Sequence, residues 1–330
     1  MNVKSILLRR LAEAEGEYIS GSELAAELGV SRNAVWKAVK ALEEEGYSIE
    51  SVTAKGYRIS SLNNRISPEL ISASLSKNSP EAPIIVLEET DSTNNAAKEL
   101  ASQGAPHGTV VVADRQTGGK GRLGRKFESP TGKGLYMSVV IRPEFGIACA
   151  PLITSAAAVA AAEAVEMLCP GEVRIKWVND LYMNGRKICG ILTEASLGLE
   201  MSSLEYAVIG IGINVRRHDF GDELRERVTD AESETGVQID RNRLCAAILG
   251  RLEHYLGLIE ERGHLDEYRR RELLTGNRIT AETGGKRIEG VALEIDENAN
   301  LTVGLDDGSR ISLTSGEANL CRIVRRETNE

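Results

Sequence analysis

The sequence contains no CxxC pair, no HxxxH or HExxH pattern, and no stretch of the ~18 consecutive apolar residues that a membrane-spanning helix needs. Each absence excludes a class of protein. The five cysteines, Cys149, Cys169, Cys189, Cys245 and Cys321, are odd in number and at least 20 residues apart, which argues for reduced thiols and a cytoplasmic location rather than a disulfide framework. His107, His218, His254 and His264 fall at no zinc-holding spacing. The Ala-rich run from Ala148 to Met167 comes nearest to a membrane span, but Pro151, Thr154, Ser155, Glu163 and Glu166 interrupt it. It predicts a buried helix and no membrane partner. The N-terminus, MNVKSILLRR, meets charge before a secretory apolar core can build.

An excess of positive charge is also missing. Forty Lys plus Arg against 49 Asp plus Glu leave a formal charge of −9. Nonspecific wrapping of nucleic acid is therefore not the main task, and any DNA contact must be local. What is present is ordinary for a globular chain: 330 residues, 42% hydrophobic and 27% charged. That length allows two or three domains, each burying a core.

Residues 1–62 predict three short helices and a hairpin. Apolar residues from Val3 to Leu11 fall at helical spacing, and a second helix is expected to open at Ser22 as N-cap and close at Leu28 before Gly29. Ser31 caps a third, whose inner face is Val35, Ala38, Val39 and Leu42. Ser31, Arg32, Asn33, Trp36, Lys37 and Lys40 are left outside, and SIESVTAKGYRIS alternates like a β-wing turning at Lys55-Gly56. The order resembles a winged helix-turn-helix, which implies operator DNA as partner with those residues and Lys55 as contacts. A helical bundle for packing is the competing reading, since eight basic residues face nine acids here.

Residues 63–68 end in proline and read as a linker. Next, β-rich runs (Ile84–Leu87, Thr109–Ala113, Leu135–Ile141, Arg174–Trp177, Lys187–Glu194, Tyr206–Val215) alternate with helical ones (Asn94–Gln103, Ala150–Leu168, Arg241–Arg262). Residues 69–273 thus predict a mixed α/β domain. From 274 to 330, short strands punctuated by Thr-Gly-Gly, Asn-Ala-Asn and Asp-Asp-Gly predict a small β-barrel of SH3-like size. The fold class expected is multidomain α+β.

Three segments carry chemistry. RQTGGKGRLGRK, Arg115 to Lys126, holds five cations, four glycines and no acid. Such a loop suits a phosphate or acyl phosphate; a solvated flexible loop is the alternative. It contains GxGxxG, but Pro130 and a strand follow where the dinucleotide fingerprint needs a helix, and Walker A fails because Arg125-Lys126 follow Gly124. In RIKWVND and GRKICG, Lys176, Asn179, Asp180 and Lys187 suit phosphate oxygens with Mg²⁺, although Asn-Asp is also an ordinary turn. VIGIGINV places Gly210 and Gly212 inside a strand, a pattern that admits a flat ligand or a close-packed backbone.

ETDSTNNAAKEL, RQTGGKGRLGRKF, KWVNDLYMNGRKICGIL and VIGIGINV, in this order between a winged helix and a small β-barrel, closely resemble the bifunctional biotin protein ligase and biotin operon repressor family. The resemblance spans essentially the whole chain. It implies a biotin/lipoate-ligase-like central domain that joins biotin to ATP as biotinyl-5′-AMP and then biotinylates a lysine of a biotin carboxyl carrier domain. It further implies a homodimer that binds operator DNA with the adenylate as corepressor. By the same resemblance, Ser92, Thr93, Asn94 and Gln116 hold the biotin rings, and Gly190, Gly210 and Gly212 form a wall beside them. Lys120, Gly121 and Arg122 close over the ligand, and Lys187 meets the biotin carboxylate. Arg122, Arg125, Phe127, Lys176, Asn179, Asp180 and Asn214 handle ATP. Arg122, Lys176, Lys187 and Asp180 are the implied catalytic set, with Asp180 a weak Mg²⁺ ligand and a candidate base for the acceptor lysine.

Three positions depart from the family pattern: Lys120 stands for Arg and loses the bidentate fork, Phe127 for Trp, and Val178 for Pro. A cationic loop reduces the repulsion when a carboxylate attacks a phosphate, so the residues fit the implied reaction. A lipoate-class ligase and a regulator that only senses biotin are the competing readings. Ordering of residues 118–127 on adenylate binding is expected to bias a nearby dimer surface.

Overall fold

The computed structural model describes residues 2–60, 65–76, 82–197, 204–222 and 224–321. Residues 61–62 of the expected N-terminal unit, 63–64 of the expected linker and 322–330 of the C-terminal unit lie outside them.

Helices α1 (Val3–Glu13), α2 (Gly21–Glu27) and α3 (Arg32–Glu44) and the antiparallel hairpin β1 (Ile49–Val52) and β2 (Gly56–Ile59) form the N-terminal unit. Leu7, Leu8, Leu11, Leu24, Val35, Val39 and Leu42 build its core. Ser31 caps α3 as expected, its hydroxyl accepting from Ala34 N at 3.2 Å. The cap of α2 is Ser20, not Ser22: Ser20 Oγ accepts from Glu23 N at 3.1 Å. Ser20 and Glu23 stand at capping-box spacing, which places Ser22 inside the first turn. Gly56 has φ +109°, and a Cβ there would lie 2.0 Å from Ile19 O, so the wing closes on the helices only with glycine.

Helix α4 (Pro68–Ser74), unforeseen in the sequence, follows the expected linker and opens on Ser67 as N-cap. Leu70 joins the N-terminal core, whereas Ile66 and Ile71 join the central one. Asn242 fastens the entry by accepting from Ser67 N and donating to Arg65 O, both at 3.0 Å.

The central sheet comprises β3 (Ile84–Thr90), β4 (Val110–Gln116), β5 (Gly134–Ile141), β6 (Arg174–Lys176), β7 (Asp180–Met183), β8 (Arg186–Leu197) and β9 (Leu204–Asn214). Its order is β3-β4-β5-β9-β8-β7-β6, parallel at β3-β4 and antiparallel elsewhere. Helix α5 (Thr93–Ser102) covers one face through Ala97 and Ala101 against Val111, Val140 and Val208. The other face packs on α6 (Leu152–Leu168) and on α8 (Arg241–Gly257), which follows the short α7 (Ala231–Thr235). Helix α6 is the Ala-rich segment, buried on nearly every side as its composition predicts. Among the described residues no helix is long and apolar enough to cross a membrane.

After α9 (Leu265–Arg271), strands β10 (Arg278–Thr283), β11 (Lys286–Ile295), β12 (Leu301–Gly304), β13 (Arg310–Leu313) and β14 (Glu317–Leu320) form an antiparallel sheet. Its order is β13-β12-β11-β10-β14, with β13 and β14 at its two edges. Ile279, Leu301, Val303 and Leu313 belong to the central core rather than to one of their own. Trp177 Nε1 donates to Ala299 O at 3.0 Å across the junction.

Candidate active site

A cavity of about 300 Å³ opens on the α5 face of the central sheet. Every residue expected to bind biotin or ATP lines it: Ser92, Thr93, Asn94, Gln116, Lys120, Gly121, Arg122, Arg125, Phe127, Lys176, Asn179, Asp180, Lys187, Gly190, Gly210, Gly212 and Asn214. The sheet brings them together because residues two apart on a strand share a face, so Gly190 on β8 lies opposite Gly212 on β9.

One end is a buried polar network. Gln116 Oε1 accepts from Thr93 N at 2.8 Å and from Thr93 Oγ1 at 3.1 Å, while Gln116 Nε2 donates to Ser129 Oγ at 2.8 Å. Ser138 Oγ lies 2.8 Å from Thr93 Oγ1 and 2.7 Å from Asn94 Oδ1. Asn94 Nδ2 donates to Leu192 O at 3.2 Å and to Glu194 Oε2 at 2.8 Å. Counting donors and acceptors leaves one N–H on Gln116 and one lone pair on Asn94 unspent. A spare donor and a spare acceptor on residues lining one cavity suit a cyclic amide or urea.

The other end is cationic. Lys187 Nζ is 2.7 Å from Asp180 Oδ1. Lys176 Nζ donates to Asn319 Oδ1 at 2.6 Å. Burial pushes the Lys176 ammonium below its usual pKa, against the attraction of Asp180 and Glu317. The glycine-rich loop is tethered by three side chains: Lys120 Nζ to Asn95 Oδ1 at 2.9 Å, an Arg122 N–H to Asn179 Oδ1 at 3.0 Å, and Arg125 paired with Glu317. Leu123, at φ +57°, turns outward and is 74% exposed, which places the loop's apolar tip in solvent.

The glycines serve different contacts. A Cβ on Gly210 would lie 2.0 Å from Asn94 Oδ1, and one on Gly212 would lie 2.7 Å from the Phe127 ring. Both positions therefore admit a side chain or ring pressed on the strand, as glycine in a strand suggests. At Gly190 the nearest atom, Lys187 Nζ, stands at 3.4 Å. Asn214 Nδ2 donates to Thr229 O at 3.2 Å, so it also anchors the stretch after β9.

Several lining residues escaped sequence reasoning. Phe220, Leu224, Arg227 and Val228 come from the segment between β9 and α7, and Glu317 and Asn319 from β14. The first group had a signal, since a long aperiodic stretch inside a compact domain is commonly functional. Glu317 and Asn319 had none, because strand pairing across the sheet delivers them. Val178, the proline position of the family pattern, follows Trp177 through a cis peptide. Among the described residues no group of three or more His, Cys, Asp or Glu could hold a metal ion. Asp180, the expected weak Mg²⁺ ligand, lines the cavity with Oδ1 paired to Lys187.

The expected DNA-contacting residues all lie on the outer surface of α3 or the wing. Arg32, Asn33, Lys37, Lys40 and Lys55 are exposed, and Trp36 is 49% exposed although it is a large aromatic. Lys40 pairs with Glu43 at 2.5 Å, and Lys55 Nζ stands 5.6 Å over the Tyr18 ring.

Residues 86–214, spanning the central sheet, match the biotin/lipoate A/B protein ligase family, and residues 4–58 match an HTH domain. The bifunctional ligase/repressor BirA of Bacillus spizizenii is 38% identical over 258 residues, 78% of this chain and 77% of that protein. The bifunctional ligase/repressor BirA of Escherichia coli is 31% identical over 92% of this chain and 95% of its own length. The chain belongs to the bifunctional biotin ligase/repressor family. Among solved structures, the biotin protein ligase from Aquifex aeolicus in complex with biotin and ATP superposes with a TM-score of 0.61 at 30% identity, covering 73% of this chain and 99% of that one. Membership in the biotin ligase/repressor family makes the chain an ATP-dependent ligase that carries an N-terminal DNA-binding domain.

Proposed function

We propose that the chain activates biotin with ATP and transfers it to a lysine of a biotin carboxyl carrier domain. The observation that carries this is one cavity with an amide-complementary end and a cationic end. In the first step a biotin carboxylate oxygen attacks the α-phosphorus, forming the acyl–phosphate bond of biotinyl-5′-AMP and expelling pyrophosphate. Arg122, Lys176 and Lys187 reduce the repulsion between the two anions. Mg²⁺ would neutralise phosphate charge, and Asp180 would hold it. In the second step the acceptor amine attacks the carbonyl carbon, the amide forms, AMP leaves, and the amine loses a proton that Asp180 accepts or orients. Ser92, Thr93, Asn94 and Gln116 bind the biotin rings, with Gly190, Gly210 and Gly212 beside them. Lys120 and Gly121 cover the ligand, and Arg125, Phe127, Asn179 and Asn214 serve ATP.

Incubation with biotin, MgATP and a carrier domain, read by mass, tests the reading. A biotin-sized gain on one carrier lysine supports it, and labelling by lipoate instead overturns it. Asp180→Asn with full transfer activity removes the role given to Asp180.

The proposal extends to regulation. A cytoplasmic homodimer, with biotinyl-5′-AMP as corepressor, places two winged helices on half-sites of a palindromic operator. Ser31, Arg32, Asn33, Trp36, Lys37, Lys40 and Lys55 meet the DNA. Arg32→Ala or Lys37→Ala is expected to weaken operator binding and, for a phosphate contact, to reduce the salt slope by about 1. The units are residues 1–62, 69–273 and an SH3-like 274–330, with 63–68 linking the first two.

A further inference from the structure

We propose that Glu194 is a positioning residue for the polar head of the substrate: its carboxylate prevents the Asn94 amide from flipping and keeps Asn94 Oδ1 as an acceptor on the cavity wall. This rests on the ligase reading above and names what the site selects, an acid whose head carries an N–H.

Glu194 does not itself line the cavity. It lies on β8, two residues beyond Leu192 and on the same face, and both its oxygens are engaged. Oε1 meets Lys98 Nζ at 2.6 Å and Oε2 accepts from Asn94 Nδ2 at 2.8 Å. Burial works to raise the pKa of this carboxyl, but Lys98 and Asn94 hold it below the usual value, so it is ionised at neutral pH.

An ionised carboxylate only accepts hydrogen bonds. A flipped Asn94 would therefore set Oδ1 against an anion and surrender the bond to Leu192 O. In the unflipped state both Nδ2 hydrogens are used, Ser138 takes one lone pair of Oδ1, and the second lone pair remains for a ligand. Gly210 leaves room for this oxygen, since a Cβ there would lie 2.0 Å from it. A ureido N–H satisfies the free lone pair. A dithiolane has no donor to offer, so the same geometry disfavours lipoate.

The competing account is a half-buried ion pair that merely ties α5 to β8. The two differ in substrate dependence, which biotin-dependent ATP–pyrophosphate exchange by the full chain measures, with KM determined separately for biotin and ATP. Glu194→Leu is expected to raise KM for biotin by about 10- to 100-fold, as for loss of an oriented buried hydrogen bond, and to leave KM for ATP within about twofold. Should the unpaired Lys98 prevent folding, Lys98→Met with Glu194→Leu removes both charges and gives the same expectation. Adding Glu194→Leu to Asn94→Ala should cost nothing further, because the amide being held is gone.

An unchanged KM for biotin in a folded Leu variant overturns the proposal. So does an equal rise in both KM values. If the unsubstituted chain supports exchange with lipoic acid and not biotin, the ligase reading fails, and this inference fails with it. Exchange with biotin but no effect at position 194 sinks the inference alone.

Discussion

Gly190, Gly210 and Gly212 look equivalent in sequence, yet their surroundings rank them. Gly210 makes room for Asn94, Gly212 for Phe127, and Gly190 meets nothing closer than ordinary contact. Gly210→Ala is therefore expected to raise KM for biotin by about tenfold or more, since overpacking of this kind costs on the order of 1–3 kcal/mol. Gly212→Ala should instead raise KM for ATP by displacing the Phe127 ring, and Gly190→Ala should stay within about twofold on both. Steady-state exchange kinetics of the three variants check the ranking; equal effects would refute it. Residue identity was legible here, because glycine inside a strand calls for a close neighbour. The neighbour was not, since Asn94 and Phe127 arrive from distant segments.

At the scale of the element, the loop from 118 to 127 borders the cavity. Leu123, Gly124, Arg125 and Lys126 are exposed, while Lys120, Arg122 and Arg125 reach back to Asn95, Asn179 and Glu317. Trypsin is expected to cut after Arg122, Arg125 or Lys126 in the free protein and at least several-fold more slowly with biotin and MgATP, as the added anion fixes these side chains. Digestion followed by mass spectrometry checks this; identical rates would remove the link between ligand and loop order. Composition set this stretch apart through five cations and no acid from Arg115 to Lys126. Its anchors were not announced, nor was α4, whose Pro68 read as the end of a linker rather than the first turn of a helix capped by Ser67.

For the whole molecule, one helix bridges two cores and the C-terminal strands share the central one. Helix α4 places Leu70 in one core and Ile71 in another, and the C-terminal strands pack into the central core. The same interior holds His264, fully buried, with one ring nitrogen 2.8 Å from Ser155 Oγ and the other unpartnered among the described groups. Burial, with Arg269 adding repulsion, pushes its pKa down to about 4 from 6.5. The unfolded chain then binds the proton more readily than the folded one between these values. Stability is complete above pH 6.5 and falls as the pH drops toward 4, by up to about 3 kcal/mol from this group. Urea midpoints at pH 7 and pH 5 check the slope, and His264→Gln should flatten it; an unaltered slope in that variant would assign the effect to other groups.

Local pattern by itself determined the types of the longer elements, the winged-helix order, the buried Ala-rich helix and the cationic loop. These depend on period, capping and charge within a few residues of each other. Tertiary structure alone decided that Glu317 and Asn319 stand at the cavity, that Glu194 holds Asn94, and that α4 joins two cores. Such contacts link residues about 100 positions apart or more, or turn on which of two neighbouring faces a helix buries, and no local spacing encodes them.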